Sequence, residues 1–190
     1  MNSMPFELPS GLPVPIDDGA AAHLQGMQMP DLPLPSTQGG DTNLGRLKGR
    51  WVIYLYPMTG RPGVPLPDGW DAIPGARGCT PQSCSFRDHH QELQSLNTGV
   101  LGLSTQPTDY QREARDRLHL PFEILSDQAL QLQSHLRLPT LTVQGKVLLK
   151  RLTMIVQDGR IAKVFYPVFP PDKNVDEVLQ WLLAAEPTAS

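Results

Sequence analysis

Where the prolines fall decides most of what this chain can become, because each one removes a backbone donor and fixes φ. Seven of them lie at or before Pro35, and residues 1 to about 48 show little periodicity. That stretch is expected to be extended or irregular, with short strand pieces around Met27–Met29 and Asp31–Leu34. The first strong strand is Trp51-Val52-Ile53-Tyr54-Leu55-Tyr56, entered from Gly49 and ended by Pro57. Its β-branched and aromatic residues favour a strand, and an unbroken apolar run suits a central strand covered on both faces. Met58 to Gly78 then holds five glycines and four prolines, which forbids regular structure over most of that length. Loops of this size inside compact domains are usually functional, and Trp70 and Ile73 are the residues available to pin this one.

Beyond the loop, helix and strand patterns alternate. A helix is expected to begin at Thr80, a hydroxyl N-cap followed by Pro81 at the first helical position, and to run to about Leu96, where Asn97 and Gly99 stop it. Val100–Ser104 reads as a buried strand, Tyr110–Leu118 as a charged helix capped by Thr108 or Asp109, Phe122–Leu125 as a short strand and Asp127–Leu136 as a helix. From Leu141 to Val168 strands are broken at Gly145 and at Asp158-Gly159, the last two forming a hairpin. Asn174 to Ala185 closes the pattern as an amphipathic helix with Val175, Val178, Leu179 and Leu182 on one face. This order predicts an α/β sandwich with a mixed sheet. Residues 1–25 are expected to form an irregular N-terminal extension and residues 26–186 a single domain, since 190 residues suffice for one real core.

A net charge of −3, with Lys and Arg thinly spread, offers no stripe on which to track a nucleic acid. The first 24 residues lack the charged and apolar regions of a secretory signal, and no apolar run nears the length of a membrane span, so a cytoplasmic protein with no membrane partner is expected. Only two cysteines are present, Cys79 and Cys84. A close pair in a reducing compartment is more often catalytic, redox-sensing or metal-binding than structural. Two blander readings stand beside that one, small buried hydrophobes and a zinc site, the latter weakened because the pair lacks ligand spacing and only His89 and His90 lie close by.

Cys79 falls where the loop feeds a helix, so its sulfur should face unpaired N–H groups and the positive end of the helix dipole, which favour the reactive thiolate. Arg77, Arg87 and Arg151 are the candidate cations beside it. Cys84 follows on the same predicted helix. Cα atoms five apart in an intact helix are roughly 8 to 9 Å apart with side chains diverging by about 140°, whereas a disulfide needs a Cα separation below about 7 Å. Joining the two sulfurs therefore requires local unwinding around residues 79–88. The chemistry available to such a pair is attack of the Cys79 thiolate on a peroxide, a sulfenic acid, and its condensation with Cys84.

Tyr54-Leu55-Tyr56-Pro57, Gly78-Cys79-Thr80-Pro81-Gln82-Ser83-Cys84-Ser85-Phe86-Arg87-Asp88, Val100–Thr105, Phe122–Asp127 and Arg151–Val156 resemble, in order, successive blocks of the bacterioferritin-comigratory or peroxiredoxin Q family. The resemblance runs from about Gly26 to Leu183. It implies a thioredoxin-like fold with a central mixed sheet flanked by helices. It also implies reduction of hydrogen peroxide and organic hydroperoxides by an attacking cysteine at 79 and a resolving cysteine at 84, recycling by thioredoxin or a similar dithiol, and no cofactor or metal. A monomer or weak homodimer goes with it. By the same resemblance Arg151 matches the strand arginine that helps hold peroxide and stabilise the thiolate.

The sequence also departs from that family. Members carry Pro seven residues and Thr or Ser three residues before the attacking cysteine; here those positions are Ala72 and Ala76. Pro57 keeps the family's Tyr-Pro context, but the loop is longer by about fifteen residues. Either Thr59 folds back to supply the missing hydroxyl, or backbone N–H groups near Gly78 and Cys79 bind the substrate. Two rival functions remain: a disulfide carrier, for which a C-x-x-C pair is the usual spacing, and a non-enzymatic redox switch remodelled by the same unwinding.

Overall fold

The computed structural model describes residues 7–185. Its strands in chain order are β1 (Pro33–Pro35), β2 (Asp41–Asn43), β3 (Arg50–Leu55), β4 (Thr98–Ser104), β5 (Ile124–Ser126), β6 (Thr140–Val143), β7 (Lys146–Leu149), β8 (Leu152–Gln157) and β9 (Arg160–Phe165). The helices are α1 (Cys79–Asp88), α2 (His90–Ser95), α3 (Thr108–Arg117), α4 (Gln131–Leu136) and α5 (Asn174–Ala185). Five strands form one mixed sheet in the order β5-β4-β3-β8-β9. Within it β3, β4 and β5 run parallel, while β8 is antiparallel to β3 and β9 to β8. The remaining strands make two small hairpin sheets, β1-β2 and β6-β7.

The apolar run of β3 is explained by its place in the middle. Val52 and Tyr54, with Tyr56 just beyond, point to the face covered by α1, α2 and α5, where they meet Phe86, Leu93, Val178 and Leu182. Ile53 and Leu55 point to the other face, against Leu101, Leu103, Met154 and the N-terminal residues Leu24, Leu34 and Leu44. Successive residues of a strand face opposite sides, so a strand buried on both must be apolar throughout. Burying a side chain such as Leu182 completely contributes about 1.5–3 kcal/mol.

Several boundaries differ from the sequence expectation. The helix does not start at Thr80 with that hydroxyl as cap. Gly78, at φ 111°, turns the chain two residues earlier, Cys79 is the first helical residue and no side chain caps the helix. Pro81 then falls at the third helical position, still among the residues whose N–H has no partner inside a helix. The single helix expected to reach Leu96 breaks at His89, whose ring Nδ1 lies 2.9 Å from the Ser85 carbonyl. The helix expected from Asp127 begins at Gln131 instead; Asp127 accepts from the N–H groups of Leu132 (3.0 Å) and Gln133 (2.8 Å) across the turn. Around Met27–Met29 only an isolated bridge from Gln28 to Arg160 forms, and the Asp31–Leu34 piece shifts to Pro33–Pro35, paired with a strand at Asp41–Asn43 that the sequence did not suggest.

The loop from Met58 to Gly78 contains one regular turn, a 3-10 turn at Trp70–Ala72. It is held by a small core of its own in which Trp70 and Ala76 pack on Val143 and Leu148 of the β6-β7 hairpin, with Met58, Leu66 and Ile73 around them. The long insertion is thereby a fixed wall at the end of the sheet where β3 delivers the chain to α1.

Candidate active site

Three elements converge on one sulfur. The loop end at Gly75–Gly78, the first turn of α1 and Arg151, between β7 and β8, meet around Cys79. Gly78 is required twice over: its φ of 111° is one that L side chains avoid, and a Cβ there would stand 2.6 Å from Pro171 and 2.8 Å from Leu8. Arg151 is buried, and its Nη2 donates to Cys79 Sγ at 3.2 Å. The same nitrogen donates to the carbonyls of Ala76 (3.0 Å) and Arg77 (3.3 Å), Nε donates to Gly75 O (3.3 Å), and Nη1 donates to Gln82 Oε1 (2.5 Å). Carbonyls, an amide and a thiol surround this guanidinium, and sulfur is the only one of these partners that can ionise. A negative charge arising on it would be met at once by a charge-assisted donor. The unpaired N–H groups of the first turn of α1 lie at the same end.

Ala76, where the family carries a hydroxyl, contributes its carbonyl: it accepts from Arg151 and lies 3.7 Å from Cys79 Sγ. Thr59 is not brought to the sulfur. Its hydroxyl donates to Gln106 Oε1 at 3.3 Å, its N–H to the same oxygen at 3.0 Å, and it is absent from the walls of the cavity that opens on Cys79. The side chain is spent on bracing the start of the loop against Gln106, and the idea that it folds back over the cysteine does not fit this geometry. That cavity, about 610 Å³, is walled by Met58, Leu66, Trp70, Gly78 and Leu118, with Arg61, Arg77 and Arg117 among its polar residues.

Of the candidate cations, Arg151 alone bonds to Cys79. Arg77 pairs with Asp71 at 2.8 Å. Arg87 pairs with Asp88 at 2.8 Å and donates to Leu118 O. Cys84 lies in the same apolar layer as Cys79, with Phe86, Leu93 and Phe122, but is not a wall of the cavity. Burial pushes its thiol up from the ordinary value, Asp88 adds to the shift, and Arg87 and Arg117 oppose it. Both cysteines are free. His89 and His90 lie away from the sulfurs: His89 packs on Ser85 O, and His90 tilts over the Phe122 ring. Among the described residues no group of side chains could hold a metal ion.

The sequence did not single out Gln82 and Asn174. Gln82 is fully buried on α1, accepts from Arg151 and donates to Asn174 Oδ1 at 3.1 Å, which also accepts from Thr153 Oγ1 at 2.6 Å. The signal was present: Gln82 stands three positions after Cys79 and so on the same helix face, a polar residue where the pattern asks for burial.

A family model described as Redoxin matches residues 24–179. Among similar curated proteins, the chloroplastic peroxiredoxin Q of Suaeda salsa is 24% identical over 159 residues, covering 83% of this chain and 67% of its own. That of Gentiana triflora is 25% identical over 183 residues, covering 93% and 77%. Among solved structures, peroxidoxin BcpB from Mycobacterium tuberculosis aligns with a TM-score of 0.69 at 23% identity, over 86% of this chain and 98% of that one. Xanthomonas campestris peroxiredoxin Q aligns with 0.65 at 22%, over 92% and 97%. The thioredoxin-like fold, the ordered sequence blocks and the cysteine at the head of α1 agree with these likenesses: the chain belongs to the Redoxin family, on its peroxiredoxin Q side.

Proposed function

We propose that this protein is a thiol-dependent peroxidase in which Cys79 attacks a hydroperoxide, Cys84 resolves the product and a thioredoxin-type dithiol restores both thiols. The observation that carries the reading is the buried Arg151 guanidinium 3.2 Å from Cys79 Sγ, at a helix N-terminus that opens on a cavity. The Cys79 thiolate forms an S–O bond as the peroxide O–O bond breaks, and the departing oxide takes a proton from water. Arg151 and the N–H groups of the first turn stabilise charge on the attacking sulfur and on the oxygens. No further acid is needed, since water protonates the leaving oxide. Cys84 then displaces hydroxide from the sulfenic acid to form the disulfide, and two electrons from the external dithiol reset the pair.

Both thiols lie on the ten-residue α1, so resolution includes unwinding of that helix. We place the protein in the cytoplasm, acting as a monomer or weak homodimer; this rests on the sequence alone. Stopped-flow mixing of reduced protein with hydrogen peroxide tests the reading. Rapid second-order oxidation is expected for the native protein and for Cys84→Ser, with none in Cys79→Ser, while turnover with a dithiol reductant is expected to fail in both variants. Oxidation no faster than that of free cysteine would sink it. Slow oxidation accompanied by a change in partner binding would favour a redox switch on the same fold.

A further inference from the structure

Arg151 can serve Cys79 only if its guanidinium plane is held still, and the structure grips that plane from both sides. On one side the carbonyls of Gly75, Ala76 and Arg77 accept from Nε and Nη2. On the other, among the described residues, Nη1 has a single acceptor, Gln82 Oε1 at 2.5 Å. An amide turned over by half a rotation presents its NH2 group in place of its oxygen. Gln82 in that sense would set donor against donor and leave a charged N–H buried without a partner. Asn174, the first residue of α5, fixes the sense: its Oδ1 accepts from Gln82 Nε2 at 3.1 Å and from Thr153 Oγ1 at 2.6 Å. The sense of Asn174 is set in turn, since its Nδ2 faces Glu177 Oε2 at 3.5 Å, and a carboxylate only accepts. Gln82, Thr153 and Asn174 are all fully buried, so water cannot stand in for any of them. From Arg151 through Gln82 and Asn174 to Glu177, every group donates to the next.

We propose that Asn174 is a positioning residue for the first oxidation, aiming the Arg151 guanidinium at Cys79 through Gln82 although it touches neither the sulfur nor the cavity. The proposal rests on the peroxidase reading above and adds a residue to it. A donor aids the reaction to the extent that it is in place beforehand, and the two-sided grip supplies that placement. The same chain bears on the later step. Gln82 rides on α1 while Arg151 and Asn174 do not, so the unwinding that brings the two sulfurs together must part Gln82 from both. Asn174 thereby favours attack on the peroxide and resists disulfide formation.

The test is a double-mutant cycle with hydrogen peroxide, read by stopped flow. Asn174→Leu keeps the branched outline of the side chain and removes its polar atoms. It is expected to slow oxidation of Cys79 about tenfold in the native background, less than the deletion of a donor. In Arg151→Met, where no guanidinium is left to aim, it is expected to change the rate by less than about twofold. A residue that merely holds the fold together would cost as much in both backgrounds. Thr153→Val, isosteric and lacking only the donor to Asn174, is expected to slow the native protein about threefold and the Arg151→Met protein not at all, so the cycle is readable even where Asn174→Leu does not fold. Asn174→Asp keeps an oxygen toward Gln82 and is expected to stay within about threefold of the native rate. Disulfide formation, once the sulfenic acid is made, is expected to quicken in Asn174→Leu. Equal losses in the two backgrounds, slowing of both chemical steps, or an Asp variant as slow as the Leu variant overturns the proposal. Native rates in both Asn174→Leu and Thr153→Val also overturn it, and leave the peroxidase standing. If the native protein is oxidised no faster than free cysteine, the peroxidase reading falls and this role falls with it.

Discussion

Cys79 and Cys84 occupy the same helix and are buried to nearly the same degree, yet their polar surroundings differ. Cys79 shares the apolar layer of Cys84 on one side, but on the other it meets the Arg151 guanidinium, the Ala76 carbonyl, the open end of α1 and a cavity beyond. Around Cys84 the neighbours are rings and aliphatic chains, and the thiol is held in its neutral form. Under the proposed mechanism the first sulfur acts while the helix is intact, and the second acts once the helix opens. Equal burial therefore says little about a cysteine, and what the burial is made of says most.

Removing the polar half of that contrast should have the largest effect. Arg151→Met keeps most of the side-chain volume and deletes the donors to sulfur, to the carbonyls of 75–77 and to Gln82. Loss of one preorganised donor costs about a hundredfold or more in rate. The second-order oxidation of Cys79 is expected to fall by at least that much, measured by stopped flow. Condensation of Cys84 with a sulfenic acid already formed should change far less. Equal loss in both steps would show that Arg151 holds up the whole site rather than serving the first sulfur.

How much of this was written in the sequence can be judged at particular residues. Trp51–Tyr56 and Val175–Leu182 announced themselves because one-face and two-face burial leave distinct periodicities. The position of Cys79 at a helix head was legible from Gly78 and Pro81, although the cap was assigned to Thr80; a left-handed glycine can turn the chain in place of a hydroxyl cap, and spacing alone does not choose between them. Thr59 misled because a missing hydroxyl at Ala76 invites a substitute nearby in sequence, while the actual partner, Gln106, is 47 residues away. Neither the cavity beside Cys79 nor the Arg151–Gln82–Asn174 chain could be read, since each depends on contacts between segments far apart in sequence.

Changing the ionisation of Cys84 is the next way to sharpen the comparison. Its folded value is raised by burial, so the neutral thiol stabilises the closed helix. That stabilisation is whole below the ordinary thiol value, about 8.5, and is lost as pH rises through the raised value. The open helix, whose thiol titrates normally, binds fewer protons in this window, so opening and ionisation advance together. The rate of disulfide formation is expected to climb about tenfold per pH unit through 8.5 and to flatten only at the higher, folded value. Rapid quench of the sulfenic acid followed by mass spectrometry across pH measures it. A plateau already at about 8.5 would mean that Cys84 titrates as a free thiol and that burial does not restrain it.

The smallest effect tests the helix itself. Ser85 lies beside Cys84, and its hydroxyl donates to the Asp172 carbonyl at 2.7 Å, tying α1 to the turn that leads into α5. Unwinding must break this bond, which carries no chemistry and touches neither sulfur. A hydrogen bond of this kind contributes about 1 kcal/mol net, so Ser85→Ala should raise the open fraction of α1 about fivefold. Disulfide formation should speed up by the same factor, with amide exchange over residues 79–88 rising in parallel and the first oxidation of Cys79 unaltered. That combination, a substitution that weakens the fold and quickens one chemical step, arises only if the step waits on the opening. If the variant exchanged faster and formed its disulfide no sooner, the two sulfurs would have to meet by a motion other than unwinding of this turn.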